Sequence, residues 1–234
     1  MPEAADLTRL RVEYAARERR LSGSDLYSLF NPTQLFIIQQ RQRAILQMLR
    51  SHGFEALASR RILELGCGGG GVLLDLLNWG ALTKNLHGTD LLLDRLRAAQ
   101  TRLPLLVLAC AEGQALPYRT AAFDMILQFT VFSSILDAPI KANLAREMVR
   151  VLCPGGLILW YDFWLNPTNP QTRGIRLDEI RRLFPNCRYD FRRLTLAPPL
   201  ARAIVPISWT LALILEKFTV FNSHYLVAIR PSPS

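Results

Sequence analysis

Residues that build metal centres and disulfide frameworks are scarce in this sequence. Three histidines and four cysteines are spread over 234 residues. The cysteines, Cys67, Cys110, Cys153 and Cys187, form no C-x-x-C pair, and each lies in or beside an apolar segment. That spacing excludes a paired-ligand zinc site and suits buried, reduced thiols in a cytoplasmic protein, with no metal expected. An apolar opening run is also missing. Residues 1–10 carry Glu3, Asp6 and Arg9, so they do not read as a signal peptide. The longest late apolar stretch, residues 203–215, is broken by Pro206 and is too short to span a bilayer. No repeat or low-complexity segment is visible.

Half the residues are apolar, enough for a substantial core. The formal charge is +9, carried mostly by arginine. These arginines are scattered along the chain, and their densest groups, such as Arg17-Glu18-Arg19-Arg20, are interrupted by acids. A solvated basic surface fits this better than a concentrated nucleic-acid face, so nucleic acid is not the expected partner.

The first sixty residues read as helical. Leu10, Tyr14 and Leu21 offer contacts on a first, charged helix. Asn31-Pro32 starts a second, because Asn caps and Pro suits the first turn, and Gly53 ends it. From Arg61 onward, short apolar runs alternate with helical segments. Strands are expected at 62–65, 86–89, 105–109, 125–128 and 157–161, with helices at 71–79, 92–101 and 142–152. This alternation implies a parallel sheet with crossover helices, its strands buried on both faces. Two later strands, 188–196 and 224–230, flank an apolar segment at 200–218.

The first strand runs into a turn with five glycines in six positions, Gly66 to Gly71. Glycines let a ligand approach the backbone, and the following helix offers unpaired N–H groups. Two spacings can be read. Gly66-x-Gly68-x-x-Gly71 fits a dinucleotide fingerprint. Glu64-x-Gly66-x-Gly68-x-Gly70 places an acid two residues before a tighter glycine set. A carboxylate near the end of a buried strand is costly without a cationic or hydrogen-bonding partner. A ligand with an ammonium group, such as S-adenosylmethionine, supplies one. Asp90, ending the second strand, can accept both hydroxyls of a ribose, and Glu112, after the third, can accept from an adenine amino group while the Gly113 N–H meets a ring nitrogen. Cys67 reads as a small residue in a tight turn.

Taken in order, Glu64-Leu-Gly-Cys-Gly-Gly-Gly70, Gly88-Thr-Asp90, Ala115-Leu116-Pro117-Tyr118 with Phe123-Asp124, and Arg150-Val-Leu-Cys-Pro-Gly-Gly156 resemble the motifs of class I S-adenosylmethionine-dependent methyltransferases. The branch with the ubiquinone/menaquinone C-methyltransferases and many small-molecule methyltransferases is the most similar in texture. The resemblance implies an α/β, Rossmann-like fold: a seven-stranded, mostly parallel sheet with an antiparallel last strand. Residues 1–58 would form an N-terminal helical lid, and residues 59–234 the main domain with an apolar insertion near 198–220. It further implies that S-adenosylmethionine is held by Glu64, Gly66, Cys67, Gly68, Gly70, Asp90, Leu91, Ala111, Glu112, Gly113, Gln128 and Phe129, with S-adenosylhomocysteine as the product. Glu112 stands where Asp is commoner in the family, and Gln128-Phe129-Thr130 replaces smaller residues.

Methyl transfer is an in-line displacement that gains from alignment and desolvation, so the cofactor motifs say little about the acceptor. The expected acceptor is a small, apolar or lipid-like molecule methylated on a hydroxyl, with carbon methylation of a quinone-like or polyketide ring as the alternative. Tyr27, Phe132 and Trp164 are the candidate acceptor contacts. Residues 200–218 would form a second wall or a peripheral membrane contact. His224 is the candidate base, with Tyr161 and Asp162 to orient a hydroxyl. Two other classes stay open. A nicotinamide-dependent reductase would use Gly66, Gly68, Gly71 and Asp90 but leave Glu64 and Glu112 without purpose. A non-catalytic nucleotide-binding protein would keep the fold without an acceptor pocket.

Overall fold

Apolar runs bounded by turns become the strands of one sheet. The computed structural model describes residues 2–21, 23–166 and 169–232. Its strands are β1 (Ile62–Leu65), β2 (Leu86–Asp90), β3 (Val107–Cys110), β4 (Phe123–Phe129), β5 (Leu152–Phe163), β6 (Cys187–Leu196) and β7 (Asn222–Pro231), in the order β3-β2-β1-β4-β5-β7-β6. The first five pair in parallel, and β7 runs antiparallel to both neighbours. The helices are α1 (Pro2–Leu21), α2 (Pro32–Ser51), α3 (Gly71–Asn78), α4 (Leu93–Arg102), α5 (Ala138–Val151), α6 (Leu177–Leu183), α7 (Pro198–Ile204) and α8 (Trp209–Leu215). The chain leaves β1 for β2 on one side and later places β4 on the other. That reversal opens a crevice at the carboxyl ends of the strands.

Local chemistry sets several of these boundaries. Asn31 Oδ1 accepts from the Thr33 N–H at 3.0 Å and so caps α2. Asp137 Oδ1 accepts from the Ile140 N–H at 2.9 Å at the head of α5. Alternate residues of each inner strand serve opposite layers. Ile62, Met125 and Leu127 pack with Ile45, Met48, Leu73 and Leu76 of α2 and α3. Leu63, Ile126 and Trp160 pack with Leu144 and Met148 of α5 and with Phe184. Each fully buried Leu, Ile or Met contributes about 1.5–3 kcal/mol before chain entropy is set against it.

Three expectations are corrected. β3 starts at Val107 rather than Leu105, because it is an edge strand and Leu105 is left in solvent. The apolar segment 200–218 is not one helix: the chain turns at residues 205–207 and restarts at Ser208, whose Oγ accepts from the Leu211 N–H at 3.2 Å. Among the described residues it does not line the cavity under α1 but packs on α2, with Phe36 edge-on to Trp209 at 5.1 Å. Finally, α2 belongs to the layer covering the sheet, so of the two N-terminal helices only α1 roofs the crevice.

Candidate active site

The glycine turn distinguishes the two spacings. Gly66, Gly68 and Gly70 have φ of +68°, +51° and +76°, a region side chains rarely adopt. A Cβ on Gly66 would lie 2.4 Å from Val131 Cγ2, and one on Gly70 2.9 Å from Leu103 Cδ1. Gly71 begins α3 outside that region, and a Cβ there would meet nothing within 4 Å. The alternate set following Glu64 is therefore the one the backbone requires. Cys67 closes the turn through its N–H, which donates to Thr89 O at 2.9 Å. Burial pushes its thiol pKa far up, so it packs as a neutral side chain.

Asp90 fastens this turn. One carboxylate oxygen accepts from the Gly68 N–H at 2.8 Å and the other from the Leu92 N–H at 2.9 Å. Arg95 lies 3.8 Å away, with its guanidinium over the Tyr14 ring at 4.9 Å. Glu64 is buried, and its Oε2 has no hydrogen-bond partner among the described residues. Burial raises its pKa well above the usual carboxylate value, and the positive charge of Arg41 opposes that rise. Arg41 comes from α2. It lies 3.6 Å from Asp75 and faces the Phe129 and Tyr161 rings at 5.6 and 5.8 Å.

A cavity of about 610 Å³ opens at the carboxyl ends of β1, β2 and β4. Its floor includes Gly66, Asp90, Leu91, Phe129 and the Ala111–Gln114 loop. Leu7, Leu10, Tyr14 and Arg17 of α1 form its roof, with Tyr27 beside them. Polar contacts dock the roof on the loop before α5. Asp6 Oδ2 accepts from the Leu136 and Asp137 N–H groups at 3.0 and 3.2 Å, and Arg9 donates to Ser134 O at 2.6 Å.

Among the expected site residues, Gly66, Asp90, Leu91, Ala111, Glu112, Gly113, Phe129 and Tyr27 line this cavity. Glu64, Cys67, Gly68 and Gly70 are not among its lining residues. Gln128 is buried and shapes the next turn, its Oε1 accepting from the Val131 N–H at 3.1 Å. Phe132 and Trp164 do not reach the cavity. Phe132 packs at a tilt against Trp160, ring centres 4.4 Å apart, and Trp164 donates to Asn222 O at 2.8 Å.

The expected base and its helpers are also placed elsewhere, inside the sheet. His224 stacks on Tyr161 at 4.6 Å, and its Nδ1 is 3.0 Å from Ser223 Oγ. Burial drives its pKa down to about 3. The Tyr161 hydroxyl meets Thr195 Oγ1 at 2.7 Å, and burial holds its pKa near about 12. Asp162 accepts from the Ser133 and Phe163 N–H groups at 3.1 and 2.8 Å, with its pKa raised by burial to about 6. The reason is topological: β5 and β7 are inner strands, so these side chains are covered by neighbouring layers. Sequence reasoning missed Arg17, Arg41 and Arg95. It found Leu10 and Tyr14 as contacts but not the Leu7, Leu10, Tyr14, Arg17 face, whose helical spacing was readable. The Leu21 side chain lies outside the described residues.

Residues 63–160 match the family described as "Methyltransferase domain". This stretch is therefore similar to a methyltransferase domain, and the sheet order around it is that of the class I S-adenosylmethionine-dependent kind. Over 122 residues the chain is 34% identical to a phthiotriol/phenolphthiotriol dimycocerosates methyltransferase of Mycobacterium ulcerans, covering 48% of this chain and 40% of that protein. Over 150 residues it is 25% identical to a ubiquinone biosynthesis O-methyltransferase of Nitrosococcus oceani, covering 63% of this chain and 61% of that one. The matches thus span about half the length of these curated relatives. The fold is shared with geranyl diphosphate C-methyltransferase from Streptomyces coelicolor, at a TM-score of 0.58 and 16% identity over 80% of this chain and 76% of that one. It is equally shared with the [4+2]-cyclase SpnF, at a TM-score of 0.57 and 16% identity, covering 82% of each chain. Fold alone therefore does not fix the reaction.

The methyltransferase domain fits its cofactor on its own geometry. Gly66 presents bare backbone to the cavity, Asp90 stands on the floor as an acceptor, and Glu64 Oε2, two residues before Gly66, is buried with no hydrogen-bond partner among the described residues. Glu112 and Gly113 sit at the far end of the same floor.

Proposed function

We propose that this chain methylates a hydroxyl of a small, apolar acceptor, using S-adenosylmethionine. The observation that carries the reading is the α1 roof, which encloses a largely apolar space beside the glycine turn and Asp90. When bound, the cofactor supplies an electrophilic methyl on a sulfonium. Asp90 and Glu112 would hold its ribose and adenine, and the Gly66 turn with Glu64 its amino-acid end. Leu7, Leu10, Ile135 and Ile140 would hold the acceptor and exclude water, and the desolvation would strengthen the pull of a nucleophile on the methyl. The hydroxyl preference is supported by the relative named as an O-methyltransferase. The apolar preference is supported by the lining and by the relative named for phthiotriol.

His224 has no part in this reading. Tyr14 is the cavity hydroxyl closest to the role of orienting an acceptor, its OH lying 3.3 Å from Ser134 Oγ. The test is incubation with methyl-labelled S-adenosylmethionine and paired acceptors: apolar phenols or alcohols, and the same molecules with the hydroxyl blocked. Label should enter the first set only. Label in the blocked set would place the methyl on carbon, and S-adenosylhomocysteine binding without label in either would end the proposal.

A further inference from the structure

We infer that the outer face built by α8 and the approach to α2 docks on an anionic membrane surface. Phe36 meets Trp209, and seven residues later along each segment Arg43 pairs at 2.9 Å with Glu216, the residue capping the end of α8, so α2 and α8 lie side by side and run the same way. The segments leading into both helices therefore share one end of the pair. Phe30, at 98% exposed, and Ile207, at 81%, occupy that end. Leu211, Ile214 and Phe218 continue along the outer stripe of α8 and its exit, followed by Val220 at 74%. The opposite stripe, with Ala212 and Trp209, is spent on packing against α2. Large apolar side chains left in water along one continuous stripe mark a contact surface rather than ordinary scatter.

Charge indicates what covers it. From Pro198 to Phe221 the charged residues are Arg202, Glu216 and Lys217, and the single acid is neutralised by Arg43. At the other end, Arg17 donates to the Tyr27 hydroxyl at 2.6 Å, bringing the basic end of α1, including exposed Arg19, to the Tyr27–Phe30 strand of chain. Glu18 and Asp25 are the acids of this end, set against Arg17, Arg19 and Arg20. An apolar stripe edged by cations is the pattern of an interfacial helix on anionic lipid. Tyr27 also lines the cavity, so the docked face borders its mouth. A bilayer-dissolved acceptor would enter from this side, a corollary that rests on the function proposed above; the docking itself does not.

The experiment is co-sedimentation of the full chain with vesicles of phosphatidylcholine alone or mixed with phosphatidylglycerol, at low and high salt. Binding should need phosphatidylglycerol and weaken with salt. The double variant Phe218→Glu with Val220→Glu should reduce partitioning about tenfold or more, given the apolar transfer it forfeits. Both positions are exposed, so calorimetry with S-adenosylhomocysteine should give the wild-type affinity and confirm that the variant is folded. Absence of binding to either vesicle overturns the inference, as does binding indifferent to the double substitution. A wild-type dimer by light scattering that the substitutions split, without vesicle binding, would assign the face to a second copy and also overturn it. Loss of S-adenosylhomocysteine binding in the wild type would instead count against the proposed function and leave the docking result standing.

Discussion

Gly70→Ala and Gly71→Ala are adjacent, chemically identical changes for which the structure dictates opposite outcomes. At Gly70 the backbone is left-handed at φ +76°, which costs a side-chain-bearing residue about 1–2 kcal/mol. The new Cβ would also sit 2.9 Å from Leu103 Cδ1 and 3.4 Å from Ala99 Cβ, and crowding a packed core adds about 1–3 kcal/mol. Gly70→Ala should therefore lose about 2–5 kcal/mol and distort the turn that presents Gly66 and Gly68. Gly71→Ala has an ordinary φ and open space, and should be neutral or gain about 0.4–1 kcal/mol by restricting the unfolded chain. Urea unfolding gives the stabilities, and calorimetry with S-adenosylhomocysteine gives the affinities. If Gly71→Ala abolished binding while Gly70→Ala was tolerated, the dinucleotide spacing would be the functional one and the argument from backbone geometry would fail.

Four further outcomes are expected. Asp90→Ala should weaken S-adenosylhomocysteine binding at least about tenfold and also lower stability by about 1–3 kcal/mol, because the buried Gly68 N–H and the part-buried Leu92 N–H lose their acceptor; a variant with unchanged affinity would remove Asp90 from the cofactor site. Burial disfavours ionised Glu64 and a cationic amine favours it, so cofactor binding should release protons. Binding enthalpies measured in buffers of different ionisation heat should then differ for the wild type and coincide for Glu64→Gln. Asp6→Ala should raise the acceptor KM with little change in cofactor affinity, since Asp6 holds the roof and not the floor; equal losses in both would contradict that division. His224 stays neutral when folded down to about 3 but protonates near 6.5 when unfolded, so its stabilising contribution is complete above 6.5 and declines as pH falls toward 3. Asp162 works the other way, with stability falling as pH rises from 3.8 to about 6. Thermal unfolding of His224→Gln should lose less stability on acidification than the wild type, and an identical pH slope would show that His224 is solvated.

The sheet was legible because its strands carry their burial in their composition. Ile62–Leu65 is apolar apart from Glu64, and that exception drew attention to the end of the strand where Leu65 and Gly66 line the cavity. The Asp90 position was also readable, since an acid ending a strand beside a glycine turn can accept from that turn, as it does from the Gly68 N–H. Less legible was anything that depends on which strand stands next to which. His224, Tyr161 and Asp162 looked available because they flank the expected active-site end, yet β7 inserts between β5 and β6 and seals them in. Arg41 carries no local signal, because Asp75 and Glu64 lie more than twenty residues away, and Arg95 meets Tyr14 from a distant helix even though Asp90 is close in sequence. The α1 roof was half-visible: Leu10 and Tyr14 have helical spacing, but nothing in a charged helix says which surface it will cover.

The two amides that Asp6 holds belong to Leu136 and Asp137, and Asp137 in turn begins α5. Lifting the roof would strip those amides of their acceptor and loosen the first turn of the helix that supplies Ile140 and Leu144 to the cavity. Admission of a bulky guest is thus mechanically tied to a widening of the chamber's far side, so the doorway and the room enlarge together.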